Sequence, residues 1–198
     1  MNIYITPTVK KIKTEIYFCI DVNLVKFLKK TFKKPEIDFS VTIKNKPHLI
    51  VLTGGNNLIN FSKSIEDKVR NQINQNVFNY GIKKRVKMIG ICGGAQFLAK
   101  KFGSKISSSL GHVGGHKIYF NKEAKIKDVK KTYYVNSYHN FSIKKISKEL
   151  YPAAISKDKS IEFFYHKKKH IIGIMWHPER YKRFKDLDKK ILKMKLWN

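Results

Sequence analysis

The sequence predicts an α/β fold: a mainly parallel central sheet flanked by helices, with an antiparallel extension. Three observations carry this prediction. Up to residue 102, short apolar, β-branched runs alternate with longer stretches whose apolar residues recur at helical spacing, the pattern of a parallel sheet covered on both faces. Beyond residue 111 apolar runs follow one another with little between them, which points to antiparallel pairing. Glycine pairs or a cysteine close the runs at residues 48–52 and 86–91, at strand ends where open α/β sheets hold their ligands.

Each element follows from its own pattern. Residues 3–6 are a first strand. Residues 21–32 place Val22, Val25, Leu28 and Phe32 at helical spacing and are a first helix. Residues 37–43 and 48–52 read as a second and a third strand. Residues 63–80 are a long polar helix with Ile65, Val69, Ile73 and Val77 on one side. Residues 86–91 are a buried strand running into Cys92, and residues 95–102 are the helix after it. The later strands are 117–120, 132–136, 153–156, 161–165 and 170–175, and residues 186–196 are a closing helix.

With 198 residues, 42% of them hydrophobic, one domain spanning 1–198 is expected, large enough to bury a core without staples. The two cysteines, Cys19 and Cys92, make no disulfide framework and are read as free thiols of a reducing compartment. The opening residues show no signal-peptide pattern, and no stretch approaches the roughly 18 apolar residues of a membrane span. A cytoplasmic protein with no membrane partner is therefore expected.

Lys and Arg number 42 against 14 acidic residues, a net charge of +28. The excess is spread along the chain and is almost all lysine, the arginines being Arg70, Arg85, Arg180 and Arg183. A dedicated nucleic-acid binder would concentrate its charge in one element. Two readings stay open: a lysine-rich solvated surface, or a positive field that draws in an anionic small molecule.

The sharpest local signal is Gly90-Ile91-Cys92-Gly93-Gly94-Ala95-Gln96. A buried strand ends in Gly-x-Cys-x-Gly and a helix starts at once, the nucleophile-elbow pattern with Cys in place of Ser. The turn is so tight that its neighbours must be small, hence Gly90 and Gly94. The helix N-terminus favours thiolate over thiol, and the N–H of Gly93 points where an oxyanion would form.

A second signal is Trp176-His177-Pro178-Glu179 after the apolar run 171–175. A strand delivers His177 at its carboxyl end, and Pro178 holds His177 extended. Glu179 is placed to fix the imidazole tautomer and to steady the imidazolium. A third is Thr53-Gly54-Gly55-Asn56, where glycines allow backbone to approach a ligand closely and the N–H of Gly55 offers a second oxyanion donor. The candidate catalytic residues are thus Cys92, His177 and Glu179, and this intact set argues against a non-catalytic nucleic-acid binder. His112 and His116 lie in a glycine-rich loop with no carboxylate or thiol close in sequence, so no metal site is assigned and no cofactor is called for. The packed apolar neighbours of Cys19 (Tyr17, Phe18, Ile20) suggest a buried thiol.

In order and content, these motifs together with Asn136-Ser137-Tyr138-His139-Asn140 resemble the class I glutamine amidotransferases, and among them the stand-alone γ-glutamyl hydrolase-like members. The resemblance runs from residue 3 to Glu179. It departs at Thr53, where the family often has proline. The resemblance implies that Gly54, Asn56, Gln96 and the segment Ser137, Tyr138, His139 and Asn140 hold a γ-glutamyl moiety. The stretch from Gly111 to His116 in a short lysine-rich chain is similar to a subgroup acting on a nucleotide-linked γ-glutamyl phosphoramidate, γ-glutamyl-CDP-amidate. By that likeness His112, His116 and Lys117 are candidates for the phosphate end of the site. A glutaminase that feeds ammonia to a separate synthase stays open as the alternative.

Overall fold

The computed structural model describes residues 1–58, 60–109, 112–126 and 128–195. The chain opens with β1 (Asn2–Ile5), β2 (Thr8–Ile12), β3 (Glu15–Cys19), α1 (Val22–Thr31), β4 (Glu36–Asp38) and β5 (Leu49–Leu52). Next come α2 (Ile65–Lys83), β6 (Lys87–Ile91) and α3 (Gly93–Lys101). Seven strands follow: β7 (Lys105–Ser108), β8 (Val113–Phe120), β9 (Thr132–Tyr138), β10 (Phe141–Lys145), β11 (Leu150–Ser156), β12 (Ile161–His166) and β13 (Ile171–Ile174). A 3-10 turn at Pro178–Arg180 and α4 (Asp186–Lys193) close the described chain.

Among the described residues eleven strands join one mixed sheet in the order β4-β1-β5-β6-β13-β12-β11-β8-β9, with β10 pairing β12 and β7 pairing β10. The half from β4 to β13 is parallel. From β13 outward the pairings are antiparallel. The antiparallel extension is therefore as large as the parallel half, wider than the sequence suggests.

The pleat sorts each parallel strand between two cores. Leu49 and Val51 face one way with Leu24, Phe27, Leu28, Leu187 and Ile191 of α1 and α4. Ile50 and Leu52 face the other way with Ile73, Val77, Phe97 and Leu98 of α2 and α3. Covered on both faces, such strands read as unbroken apolar runs, and burying each of these side chains contributes about 1.5–3 kcal/mol. Helix α1 is capped by the Asp21 carboxylate, which accepts from Asn23 N at 2.7 Å. Helix α2 is capped by Ser64, whose Oγ accepts from Asp67 N at 3.2 Å. Ile65, expected on the apolar side of α2, is exposed at the first position of that helix.

Several elements differ from expectation. The strand expected at 37–43 is only Glu36–Asp38. Asp38 Oδ1 accepts from Ser40 N at 2.9 Å, a side-chain turn that ends the strand, and Phe39 and Val41 are exposed. The β2–β3 hairpin has no counterpart in the sequence pattern. Its register, Ile12↔Glu15, leaves a two-residue turn in which Lys13 takes φ 55°, a conformation that Asn or Gly would advertise and Lys does not. Strands β7 and β10, polar and serine-bearing, are likewise silent in the sequence. The expected closing helix extends to Leu196, which lies outside the described residues, as does Gly111. No described helix is long and apolar enough to cross a membrane.

Candidate active site

The sheet order explains the site. Strands β5, β6 and β13 are neighbours and parallel, so their carboxyl ends bring Gly54-Gly55, Cys92 and Trp176-His177 side by side. Cys92 holds its place at the edge by donating its N–H to Ile174 O at 2.7 Å.

Cys92 sits at φ 50°, ψ −109° and caps α3 without a side-chain cap bond. This is a strained conformation for a residue with a side chain, and the glycines around it make it sterically possible. A Cβ on Gly90 would lie 2.6 Å from the Gly94 carbonyl and Ala95 N, and one on Gly94 would overlap the Leu52 carbonyl. Gly94→Ala is therefore expected to destabilise the fold by roughly 3 kcal/mol, read as a lower thermal midpoint; an unchanged midpoint would mean that the elbow can open. With Cys92 as cap, the first N–H groups of α3, from Gly93 and Gly94, have no intrahelical acceptor.

His177 follows β13 and is 3% exposed. Its Nδ1 lies 2.6 Å from Glu179 Oε1, because the 3-10 turn at Pro178 folds the carboxylate back under the ring. With Nδ1 committed, Nε2 is the ring atom left for Cys92. Burial works against protonation of His177, but the sulfur of Cys92 and the carboxylate of Glu179 outweigh it and raise the imidazole to about 9. Gly54 closes the third side: a Cβ there would lie 3.1 Å from Cys92 Cβ and 3.3 Å from His177 Cε1. Gly55 takes φ +105° against Thr8.

The structure adds supports that the sequence alone leaves unassigned. Asn136 clamps the His177 backbone in both directions: Asn136 Nδ2 donates to His177 O at 2.8 Å, and His177 N donates to Asn136 Oδ1 at 2.9 Å. Asn136 heads the motif that runs to Asn140, so its position is visible in the sequence while its role is not. Trp176 Nε1 donates to the fully buried Asp188 at 2.8 Å. Burial, opposed by Trp176 and Lys185, pushes Asp188 up to about 7. The departure at Thr53 is filled by a polar lock. Thr53 Oγ1 donates to Thr6 O, and the buried Arg70 donates to both threonines.

The expected ligand contacts divide. Tyr138 packs its ring edge-on to His177 at 5.5 Å, with Arg180 4.5 Å over its face. Gln96 is buried beside the elbow, but its amide nitrogen donates to Phe141 O at 2.8 Å. The Asn56 side chain is not free for a ligand: it bridges Val9 N and O, both at 2.9 Å, and donates to Asp67. Ser137 is fully buried and its backbone lies in the β8–β9 ladder opposite Gly114. Asn140 O accepts from Ser109 N, and His139 N donates to His112 O.

His112 and His116 border one cavity with Lys117, Tyr119, Ser156, Lys157 and Asp158. Both histidines turn inward onto Glu162 of β12, at 3.1 and 3.3 Å, a carboxylate far away in sequence. The absence of an acidic neighbour in the sequence is therefore no argument against a metal at these histidines. Lys117 stands opposite Tyr134 in the β8–β9 ladder. Cys19 also departs from expectation. It is half-buried rather than packed away, and it lines one cavity with Thr8, Gly54, Gly55, His177 and Arg180.

The glutamine amidotransferase class-I family profile matches residues 20–198. The chain belongs to the class-I glutamine amidotransferase family. Its likeness to the γ-glutamyl-CDP-amidate hydrolase of Campylobacter jejuni is 39% identity over 145 residues, covering 73% of this chain and 68% of that protein. It is 31% identical over 132 residues to the glutamine-hydrolysing GMP synthase component of Picrophilus torridus, covering 66% of each. Among solved structures, a putative GMP synthase component from Thermoplasma acidophilum superposes with a TM-score of 0.73 at 21% identity, covering 98% of this chain and 90% of that one. That structure supports the class I amidotransferase fold. Class-I glutamine amidotransferases are hydrolytic, and this member is a hydrolase acting on a γ-glutamyl C–N bond.

Proposed function

We propose that the protein releases glutamate from a γ-glutamyl phosphoramidate, γ-glutamyl-CDP-amidate above all, leaving cytidine diphosphoramidate for capsular polysaccharide modification. The observation that carries this reading is the likeness to the C. jejuni hydrolase together with a Cys92 elbow beside a 2.6 Å His177–Glu179 pair. Cys92 Sγ attacks the γ-carbonyl carbon with its proton already resting on His177. The C–N bond breaks, His177 hands that proton to the leaving nitrogen, and water hydrolyses the thioester. The N–H groups of Gly93 and Gly55 serve the oxyanion. No step is routed through a cofactor or a metal. The net charge of +28 and Arg180 at the cavity wall suit a pyrophosphate-bearing substrate, and neither nucleic acid nor membrane has a part in the scheme.

A second reading, a glutaminase serving a separate synthase, is favoured by the likeness to the GMP synthase component. The two are separated by kcat/KM for γ-glutamyl-CDP-amidate and for glutamine at one salt concentration. The nucleotide compound is expected to be far faster, because binding energy from its remote end drives catalysis. Its kcat/KM is expected to fall as ionic strength rises, and Lys117→Ala is expected to reduce its advantage while leaving glutamine hydrolysis unchanged. A glutamine value equal to or above the nucleotide value would turn the assignment to the ammonia-supplying glutaminase.

A further inference from the structure

On the opposite face of the β8–β9 ribbon from Asn136, three imidazoles converge on one buried carboxylate. Glu162 is 0% exposed. His112 Nδ1, His116 Nε2 and His139 Nε2 lie 3.1, 3.3 and 3.9 Å from its Oε1. His116 pairs with Val135 across the ladder and shares its inward face, whereas Asn136 alternates toward His177.

At the two shorter distances hydrogen bonds are expected, but none of good geometry is made. His112 Nδ1, His116 Nε2, both ring nitrogens of His139 and both oxygens of Glu162 are buried without a hydrogen-bond partner. Charge attraction holds the rings on Glu162, but each unmade directed bond costs about 1–3 kcal/mol. The spacing fits a metal ion at their centre. Ligand atoms at tetrahedral angles and about 2.0–2.2 Å from a zinc ion stand roughly 3.3–3.6 Å apart. The donors of His112, His116 and Glu162 all lie within 4.8 Å of one another, with the two measured edges at 3.1 and 3.3 Å. The outer shell also fits. His112 bonds through its other nitrogen to Asp158 Oδ2 at 3.2 Å, and Asp158 is itself held by Lys144, Ser156 and Ser160. Metal-bound histidines are oriented in this way.

We infer that His112 Nδ1, His116 Nε2 and Glu162 Oε1 form a three-donor structural site for a divalent transition metal of the zinc class, with the fourth position left to solvent. Its role is to tie β8 to β12 and so to steady the ribbon that presents Asn136. It stands whatever the substrate is.

The test is Zn²⁺ titration of the chelator-treated full chain by calorimetry, with Co²⁺ as a spectroscopic substitute. One equivalent, tetrahedral cobalt bands and a higher thermal midpoint with zinc are expected. His116→Ala and Glu162→Gln are each expected to weaken zinc binding by more than roughly 100-fold, above the cost of losing an outer-shell partner, while the exposed His48→Ala leaves it unchanged. A folded wild-type chain that takes up no zinc would overturn the inference and leave imidazolium charges to hold Glu162. So would zinc binding indifferent to both ligand variants. If both variants fail to fold, Asp158→Asn decides: binding about tenfold weaker supports the site, and unchanged binding rejects it.

Discussion

Cys92→Ala is expected to lower turnover by at least about 10⁴-fold, the scale on which removing the nucleophile of a hydrolytic triad acts, with the fold and substrate binding retained. The side chain is small, and the backbone strain at φ 50° is imposed by the elbow whichever residue occupies it. Alanine therefore removes the sulfur and little else. Circular dichroism and a thermal midpoint near wild type would accompany the loss. Retention of a tenth of wild-type activity would take Cys92 out of the mechanism. Cys19→Ser is a less neutral comparison than its sequence suggests, since Cys19 shares the cavity with His177.

His177→Ala is expected to cost as much as loss of the sulfur, at least about 10⁴-fold, and Glu179→Gln about ten- to a hundredfold less. In the proposed scheme the imidazole carries the proton in both halves of the reaction, whereas Glu179 orients it through a 2.6 Å contact. The pH profile separates the two roles. His177 is raised to about 9, so it stays protonated, and able to supply the leaving group, until pH rises through about 9. Wild-type kcat/KM is therefore expected to fall on the alkaline side near that pH. Glu179→Gln removes a charge that favours the imidazolium, which moves this limb to lower pH. A Glu179→Gln enzyme as inactive as His177→Ala, or a limb that stays in place, would contradict the division of roles.

The parallel half and the candidate triad are legible in the sequence because their signals are local. A both-sides-buried strand is an unbroken apolar run, and a nucleophile turn needs Gly90 and Gly94 beside Cys92 for steric reasons. What stays hidden depends on partners distant in sequence. Glu162 is one charge in an apolar run, and only the pairing of β12 with β11, and of β11 with β8, carries it toward His112 and His116. Asp188 meets Trp176 because α4 packs back on the sheet. The β2–β3 hairpin turns on Lys13 at positive φ, with no glycine to mark it. Asn56 is a ligand contact by the family resemblance; the same hairpin, by presenting the Val9 backbone, takes its side chain instead.

The central claim, that Cys92 attacks a γ-glutamyl carbonyl at this sheet edge, is tested most directly by covalent trapping. The full chain is treated with an electrophilic glutamine analogue bearing a leaving group at the γ-position, and its peptides are weighed. One adduct per chain is predicted, on the peptide carrying Cys92, blocked by excess substrate and absent from His177→Ala on the same timescale. An adduct on Cys19, which lines a cavity with His177, or no adduct on a folded and active enzyme, would contradict it.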